Sequence, residues 1–77
     1  MVDFKIEEKV YRHWQTAENG DRYGGGQHTI IRLYHKADVG YDLESIPYNM
    51  LDTGYVVVLK SKDGEVIKSN CSELSPL

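Results

Sequence analysis

The strongest constraint on the fold is a run of apolar residues that leads into a tight turn. Residues 55–59 read Tyr-Val-Val-Val-Leu, and Asp63-Gly64 separates this run from Glu-Val-Ile-Lys at 65–68. Consecutive apolar residues rich in β-branched types are typical of a strand buried on at least one face. Asp-Gly between two such runs predicts a β-hairpin with a type I′ turn, because that turn needs a positive φ at both central residues.

The type I′ turn also predicts the register of this hairpin. It pairs Lys62 with Glu65 and Lys60 with Ile67. Side chains alternate between the two faces of a strand. On that basis the predicted core side of the hairpin is formed by Tyr55, Val57, Leu59 and Val66.

A second strand is predicted over residues 29–35. There Ile31 and Leu33 alternate with Arg32 and Tyr34, which is a strand pattern. The three glycines at 24–26 come just before it. They predict a flexible loop or a close approach of two backbones, since glycine lacks the Cβ that limits both.

The N-terminal segment allows two interpretations. Apolar residues fall at even positions from Val2 onward, with a break near Glu7-Glu8, and this favours a strand from Phe4 to Arg12. The alternative is an α+β fold, in which a helix over residues 3–18 packs on a three-stranded meander. Its apolar stripe would be formed by Ile6, Val10, Trp14 and Ala17.

The rest of the chain predicts two long loops and a short final turn. One loop precedes residue 29, and the other spans 37–53. Ser72 is a candidate N-cap for a single 3-10 turn. In that turn Leu74 enters the core and Pro76 prevents continuation.

This order of elements resembles the small SH3-like β-barrels, the group that includes SH3, Tudor and KOW modules. The resemblance is carried by Lys-Ile-Glu-Glu-Lys-Val-Tyr at 5–11, Thr-Ile-Ile at 29–31, Asp-Gly-Glu-Val at 63–66 and Ser-Glu-Leu at 72–74. It implies an all-β barrel of about five strands with two long loops and a C-terminal 3-10 turn, in a single domain over 1–77. The acidic Ala-Leu-Tyr motif of signalling SH3 domains is absent, so binding of proline-rich ligands is not implied.

Charge and cysteine content restrict the function. The 77 residues carry a net charge of −3, which disfavours a non-specific nucleic-acid binder and departs from the basic KOW modules. An acidic stretch without bases contains Asp38, Asp42, Glu44 and Asp52. The single cysteine, the lack of a signal-like segment and the lack of a long apolar run predict a cytoplasmic protein that does not enter a membrane.

Six residues in the two loops are candidate partner-binding residues: Trp14, Tyr23, Tyr41, Asp42, Glu44 and Tyr48. Aromatic side chains are enriched at binding hot spots because they bury a large area with few rotatable bonds. The resemblance implies that both loops lie at one end of the barrel and line a groove. The alternative is that the aromatic residues cap a small core.

No catalytic, metal or cofactor site is predicted. The spacing of His13, His28, His35 and Cys71 matches no zinc pattern. The glycines at 24–26 lack the Lys-Ser/Thr of a phosphate-binding loop. The spacing of the residues in the sequence does not predict a nucleophile next to a general base. We therefore expect that the protein is not an enzyme.

The resulting hypothesis is a non-enzymatic protein-interaction module whose partner has a basic surface. One version is a small phage or mobile-element protein that inhibits or regulates a host complex. A first alternative is a KOW- or Tudor-like nucleic-acid-binding module with a basic and aromatic face formed by Arg12, Arg22, Arg32, Lys36, Trp14 and Tyr23. A second alternative is a small-molecule or nucleotide binder around the glycine-rich loop and the tyrosines.

Overall fold

The computed structural model describes residues 3–37, 43–47 and 54–77, and within these ranges the chain contains strands and one 3-10 turn but no α-helix. The strands are β1 (Asp3–Lys5), β2 (Lys9–Arg12), β3 (Gln15–Thr16), β4 (Arg22–Tyr23), β5 (Gly26–His35), β6 (Ser45–Pro47), β7 (Tyr55–Ser61), β8 (Val66–Asn70) and β9 (Leu74–Pro76). The 3-10 turn is Cys71–Glu73. Its N-cap is Asn70, which makes no side-chain cap hydrogen bond, so the prediction of Ser72 as the N-cap is wrong. The prediction of an all-β protein with a C-terminal 3-10 turn is confirmed. The alternative of a helix over residues 3–18 is wrong, because β1, β2 and β3 occupy that segment.

Five strands form one antiparallel sheet in the order β8-β7-β5-β2-β9, and two further pairs are β1 with β6 and β3 with β4. The predicted number of about five strands is therefore found in the main sheet, and the two pairs add four short strands. Among the described residues β8 and β9 are the two edges of the sheet, so its hydrogen-bonded ladder is not closed.

The break predicted near Glu7-Glu8 separates β1 from β2. Glu7 has a φ of 72°, a left-handed conformation that is uncommon outside glycine. Its N–H donates to the carbonyl of Ile30 at 2.7 Å, and the N–H of Ile30 donates to the carbonyl of Glu8 at 2.9 Å. The chain thus stays attached to β5 while it changes direction, and β1 turns away to pair with β6.

The β7–β8 hairpin exists as predicted, but its register is shifted. Leu59 lies opposite Ile67, and Lys60 lies opposite Val66. Gly64 alone has a positive φ in this turn, and its N–H donates to the carbonyl of Ser61 at 3.0 Å. The loop therefore has three residues, a type I turn followed by glycine in the left-handed region, rather than a two-residue type I′ turn.

This shift of one residue reverses the faces of β8. Val66 is 57 % exposed, whereas Ile67 packs against the core. The placement of Val66 on the core side was wrong, because a strand presents alternate residues to opposite faces.

A second irregularity lies in β5. The pairing with β7 shifts between Ile30 and Arg32, which marks a β-bulge at Ile31. Ile30 and Leu33 are fully buried, while Ile31 is 36 % exposed. The predicted strand pattern, with Ile31 and Leu33 on the same face, is therefore wrong at Ile31, because the extra residue of the bulge shifts the alternation by one position.

The core lies between the five-stranded sheet and the β1–β6 pair. Phe4 of β1 stands opposite Ile46 of β6, and both side chains are fully buried. The other core residues are Val10, Ile30, Leu33, Val57, Leu59, Cys71 and Leu74. The predicted burial of Leu74 after the 3-10 turn is thus confirmed.

Candidate functional site

The first loop contains a short β-hairpin of its own. Gln15 pairs with Tyr23 and Thr16 with Arg22. The N–H of Ala17 donates to the carbonyl of Asp21 at 2.8 Å, so the ladder continues to the tip of the loop. The loop is consequently an ordered projection rather than a flexible connection.

A buried arginine fastens the base of this loop. Arg12 is 8 % exposed. Its Nη1 donates to the carbonyl of Gly24 at 2.9 Å, its Nε donates to Oγ of Ser69 at 3.2 Å, and its Nη2 donates to Oε2 of Glu73 at 2.9 Å. Ser69 Oγ lies 2.6 Å from the same carboxylate oxygen. The guanidinium is therefore neutralised and bonded on several sides, as a buried charge requires.

Two glycines of the run at 24–26 are required by close contacts with side chains. A Cβ built on Gly24 would lie 2.0 Å from Nη1 of Arg12, and one on Gly25 would lie 2.3 Å from the ring of Trp14. The sequence predicted a close approach of two backbones, whereas the close contacts at Gly24 and Gly25 are made by the side chains of Arg12 and Trp14. Gly26 already belongs to β5.

Trp14 and Tyr23 project from this anchored loop and are 50 % and 53 % exposed. The alternative that they cap the core is not what the structure shows. Trp14 lines a recess of about 340 Å³ and Tyr23 lines one of about 370 Å³. Both recesses share Gly24, His28, Ser61 and Glu65. The two aromatic residues therefore both adjoin the β7–β8 hairpin, a neighbour that the sequence did not predict for them.

His28 forms a polar wall between these recesses. It is 5 % exposed, and its Nδ1 lies 3.0 Å from the carbonyl oxygen of Gly26. A carbonyl only accepts, so Nδ1 of His28 donates this hydrogen bond. The sequence offered no signal for this role beyond the alternation that places His28 on the same face as Ile30.

The predicted second-loop residues have a different status. Glu44 is exposed and directly precedes β6. Tyr41, Asp42 and Tyr48 lie outside the described residues.

The basic and aromatic face considered for nucleic acid is not assembled as the sequence suggested. Arg12 is buried, and its guanidinium is already bonded to Ser69, Gly24 and Glu73, so it does not belong to an exposed basic face. Arg22 lies on the first loop, whereas Arg32 lies within the five-stranded sheet.

The other residues considered as zinc ligands, His13, His35 and Cys71, contact neighbouring side chains or are buried. His13 lies 2.7 Å from Oγ of Ser75, and the ring of His35 stands edge-to-face on Tyr55. Burial raises the pKa of the Cys71 thiol to about 11, which keeps it protonated and unreactive. Over residues 3–37, 43–47 and 54–77 no cluster of three or more His, Cys, Asp or Glu side chains could hold a metal ion.

Comparison of the chain with protein-family models, with curated proteins and with solved structures finds no match. In the described part of the chain no helix has the length and apolar character needed to cross a membrane.

Proposed function

We propose that this protein is a non-enzymatic interaction module that binds another protein through its first loop. Trp14 and Tyr23 are the principal contact residues, and the tip of the β7–β8 hairpin forms the opposite side of the binding surface. The observation that carries this proposal is the exposure of half of each aromatic side chain on an ordered loop. Large aromatic anchors of this kind dominate the free energy of binding at protein interfaces.

The anchoring of the loop supports the proposal energetically. Ordering a loop on binding costs conformational entropy. Here the loop is already ordered in the free protein, because Arg12 donates a hydrogen bond to the carbonyl of Gly24 and β3 pairs with β4. The entropy cost on binding is therefore small. A partner therefore meets Trp14 and Tyr23 in a fixed arrangement.

The charge around the two aromatic residues suggests the chemistry of the partner. The first loop and the hairpin tip carry four acids, Glu18, Asp21, Asp63 and Glu65, against two bases, Arg22 and Lys62. Charge complementarity at an interface favours encounter with an oppositely charged surface. We therefore infer that the partner has a basic surface. We also propose that this protein is a cytoplasmic regulator or inhibitor of phage or mobile-element origin.

We also infer that the domain belongs to the SH3-like group. The long first loop that folds into a hairpin, the β7–β8 hairpin and the 3-10 turn before the last strand support this assignment. The departures noted in the sequence still apply, so the proposed binding surface is argued from Trp14 and Tyr23 and not from the group.

Affinity purification from the native host tests the proposal. The tagged protein, the Trp14→Ala/Tyr23→Ala variant and a Val66→Ala control are compared by quantitative mass spectrometry. Val66 is a matched control because it is 57 % exposed but lies on β8. We expect a discrete partner that is retained by the control and lost by the double variant. A partner retained equally by all three proteins would refute the proposed surface.

A further inference from the structure

The five-stranded sheet has an unusual charge. Its strands contain five cations, Lys9, Arg12, Arg32, Lys60 and Lys68, and no Asp or Glu. The rest of the chain holds four cations and all twelve acids. The net charge of −3 therefore conceals a basic sheet within an acidic protein.

The register places four of these cations on one face. Lys9 and Lys60 stand in a single cross-strand row on either side of Thr29. Arg32 and Lys68 stand in the next row on either side of Val58. Directly opposed residues point to the same face, and the other face of these strands carries the core residues Leu33 and Leu59. All four cations are exposed.

The spacing of this basic face follows from sheet geometry. Cations that flank a central strand lie about 10 Å apart, and successive rows on one face lie about 7 Å apart. Lys9, Lys60 and Lys68 form no salt bridge within the described ranges. Among the described residues the charges of these three lysines are thus not neutralised by an acidic side chain.

A recess adjoins the basic face in the third row. Tyr34, Val56 and Asn70 stand opposite one another in the register and all line a recess of about 240 Å³. Lys36 and Lys68 also line it, as do Ser69 and Glu73. The carboxylate of Glu73 is already bonded by Arg12 and Ser69. The recess therefore offers an aromatic ring, an apolar side chain and an amide beside two lysines.

We propose that this face binds single-stranded nucleic acid, independently of the proposed first-loop interaction. The phosphates contact Lys9, Lys60, Lys68 and Arg32, and an unstacked base enters the recess against Tyr34. Proteins that bind single strands combine a basic track with aromatic platforms in this way. A run of acidic residues would satisfy the lysines but supplies no flat ring for the recess.

Fluorescence anisotropy of a labelled oligothymidylate of about twelve nucleotides tests this proposal, a length within the range that small domains bind. We expect binding at about 50 mM salt that weakens steeply towards 200 mM. The slope of log K against log salt should be about −2 to −3, as expected for three or four phosphate contacts on a single strand.

Matched variants separate this face from general charge effects. Lys60→Glu/Lys68→Glu should weaken binding at least about tenfold, while Lys5→Glu/Arg22→Glu changes the net charge equally and should weaken it less than about threefold. Tyr34→Leu should weaken binding about tenfold without changing the salt slope. A milder Lys60→Gln/Lys68→Gln variant gives the same test with a smaller loss if the charge reversal impairs folding.

Three results would overturn the proposal. They are absence of binding at about 50 mM salt, equal losses in the two charge-reversed double variants, and equal competition by polyglutamate of similar length. The last result would assign the face to an acidic protein segment instead. Because the readout is nucleic-acid binding, failure here leaves the test of Trp14 and Tyr23 unaffected.

Discussion

Nη2 of Arg12 lies 2.9 Å from Oε2 of Glu73, although the two residues are 61 positions apart in the chain. This ion pair joins the end of β2 to the 3-10 turn, and the same guanidinium holds the carbonyl of Gly24 at the end of the first loop. The stability of the domain and the position of the proposed binding loop therefore depend on one buried side chain.

Removing the carboxylate partner should destabilise the protein. Glu73→Gln leaves the guanidinium of Arg12 buried without its counter-ion, and we expect a loss of about 2 to 3 kcal/mol in the free energy of unfolding. The value lies below that of a fully buried pair because the Glu73 side chain is 26 % exposed. Urea unfolding followed by circular dichroism measures it. The exposed Glu18→Gln control should change stability by less than about 0.5 kcal/mol, and equal effects of the two substitutions would contradict this role.

Two glycine substitutions should differ in a defined order. Gly20 and Gly24 both have a positive φ, but a Cβ on Gly20 meets nothing within 4 Å, whereas one on Gly24 meets Arg12. Gly20→Ala should cost about 1 to 2 kcal/mol from backbone conformation alone. Gly24→Ala should cost at least about 1 kcal/mol more, because it also displaces the guanidinium. Thermal unfolding of both variants compares them directly, and the reverse order would show that Arg12 can move away.

The corrected hairpin register makes a further prediction. Ile67→Ala should cost about 2 kcal/mol because Ile67 packs on the core, whereas Val66→Ala should cost less than about 0.5 kcal/mol. Chemical denaturation of the two variants measures the difference. The opposite ranking would restore the type I′ register and place Val66 inside.

The buried thiol predicts a dependence of stability on alkaline pH. Burial raises the pKa of Cys71 from 9.0 to about 11, so the unfolded chain loses its thiol proton first. The contribution of the protonated Cys71 thiol to folding stability is complete below pH 9 and is lost as the pH rises to about 11. The expected loss in the free energy of unfolding is about 2 to 3 kcal/mol, since one pKa unit corresponds to about 1.4 kcal/mol. The measurement is the difference in unfolding free energy between the wild type and Cys71→Ala at several pH values.

The difference between the two proteins isolates the contribution of Cys71, because every other pH-dependent contribution is common to both proteins. It should shrink as the pH rises from 9 to 11. A difference independent of pH would show that the thiolate is tolerated in the folded protein. Thiol reagents at neutral pH should also react with Cys71 only in denaturant.

The sequence predicted those parts of the fold that depend on local patterns. The Asp63-Gly64 turn, the break at Glu7 and the 3-10 turn before Leu74 each rest on a few adjacent residues, and each is present. The register of the β7–β8 hairpin could not be predicted, because Asp-Gly is compatible with both a two-residue and a three-residue loop. The bulge at Ile31 likewise has no local signature, since it is set by pairing with β7.

The long-range features could not be inferred from one sequence. Nothing in the local sequence distinguishes Arg12 from an exposed arginine. Its burial depends on Ser69 of β8 and Glu73 of the 3-10 turn, which are far from it in the chain. The acid-free sheet is not apparent from the sequence, because its strands are separated along the chain by connecting segments that contain acidic residues. Trp14 and Tyr23 were identified as candidates from residue type and loop position, but their proximity to the β7–β8 hairpin required the structure.

The most direct test of the central claim uses Trp14 as its own reporter, because it is the only tryptophan in the chain. Acrylamide quenching of its fluorescence is measured for the free protein and for the complex with the purified partner. We expect efficient quenching in the free protein, consistent with 50 % exposure, and at least about fivefold protection in the complex, because hot-spot aromatic residues are fully desolvated. Quenching that is unchanged by the partner would show that the first loop is not the binding surface.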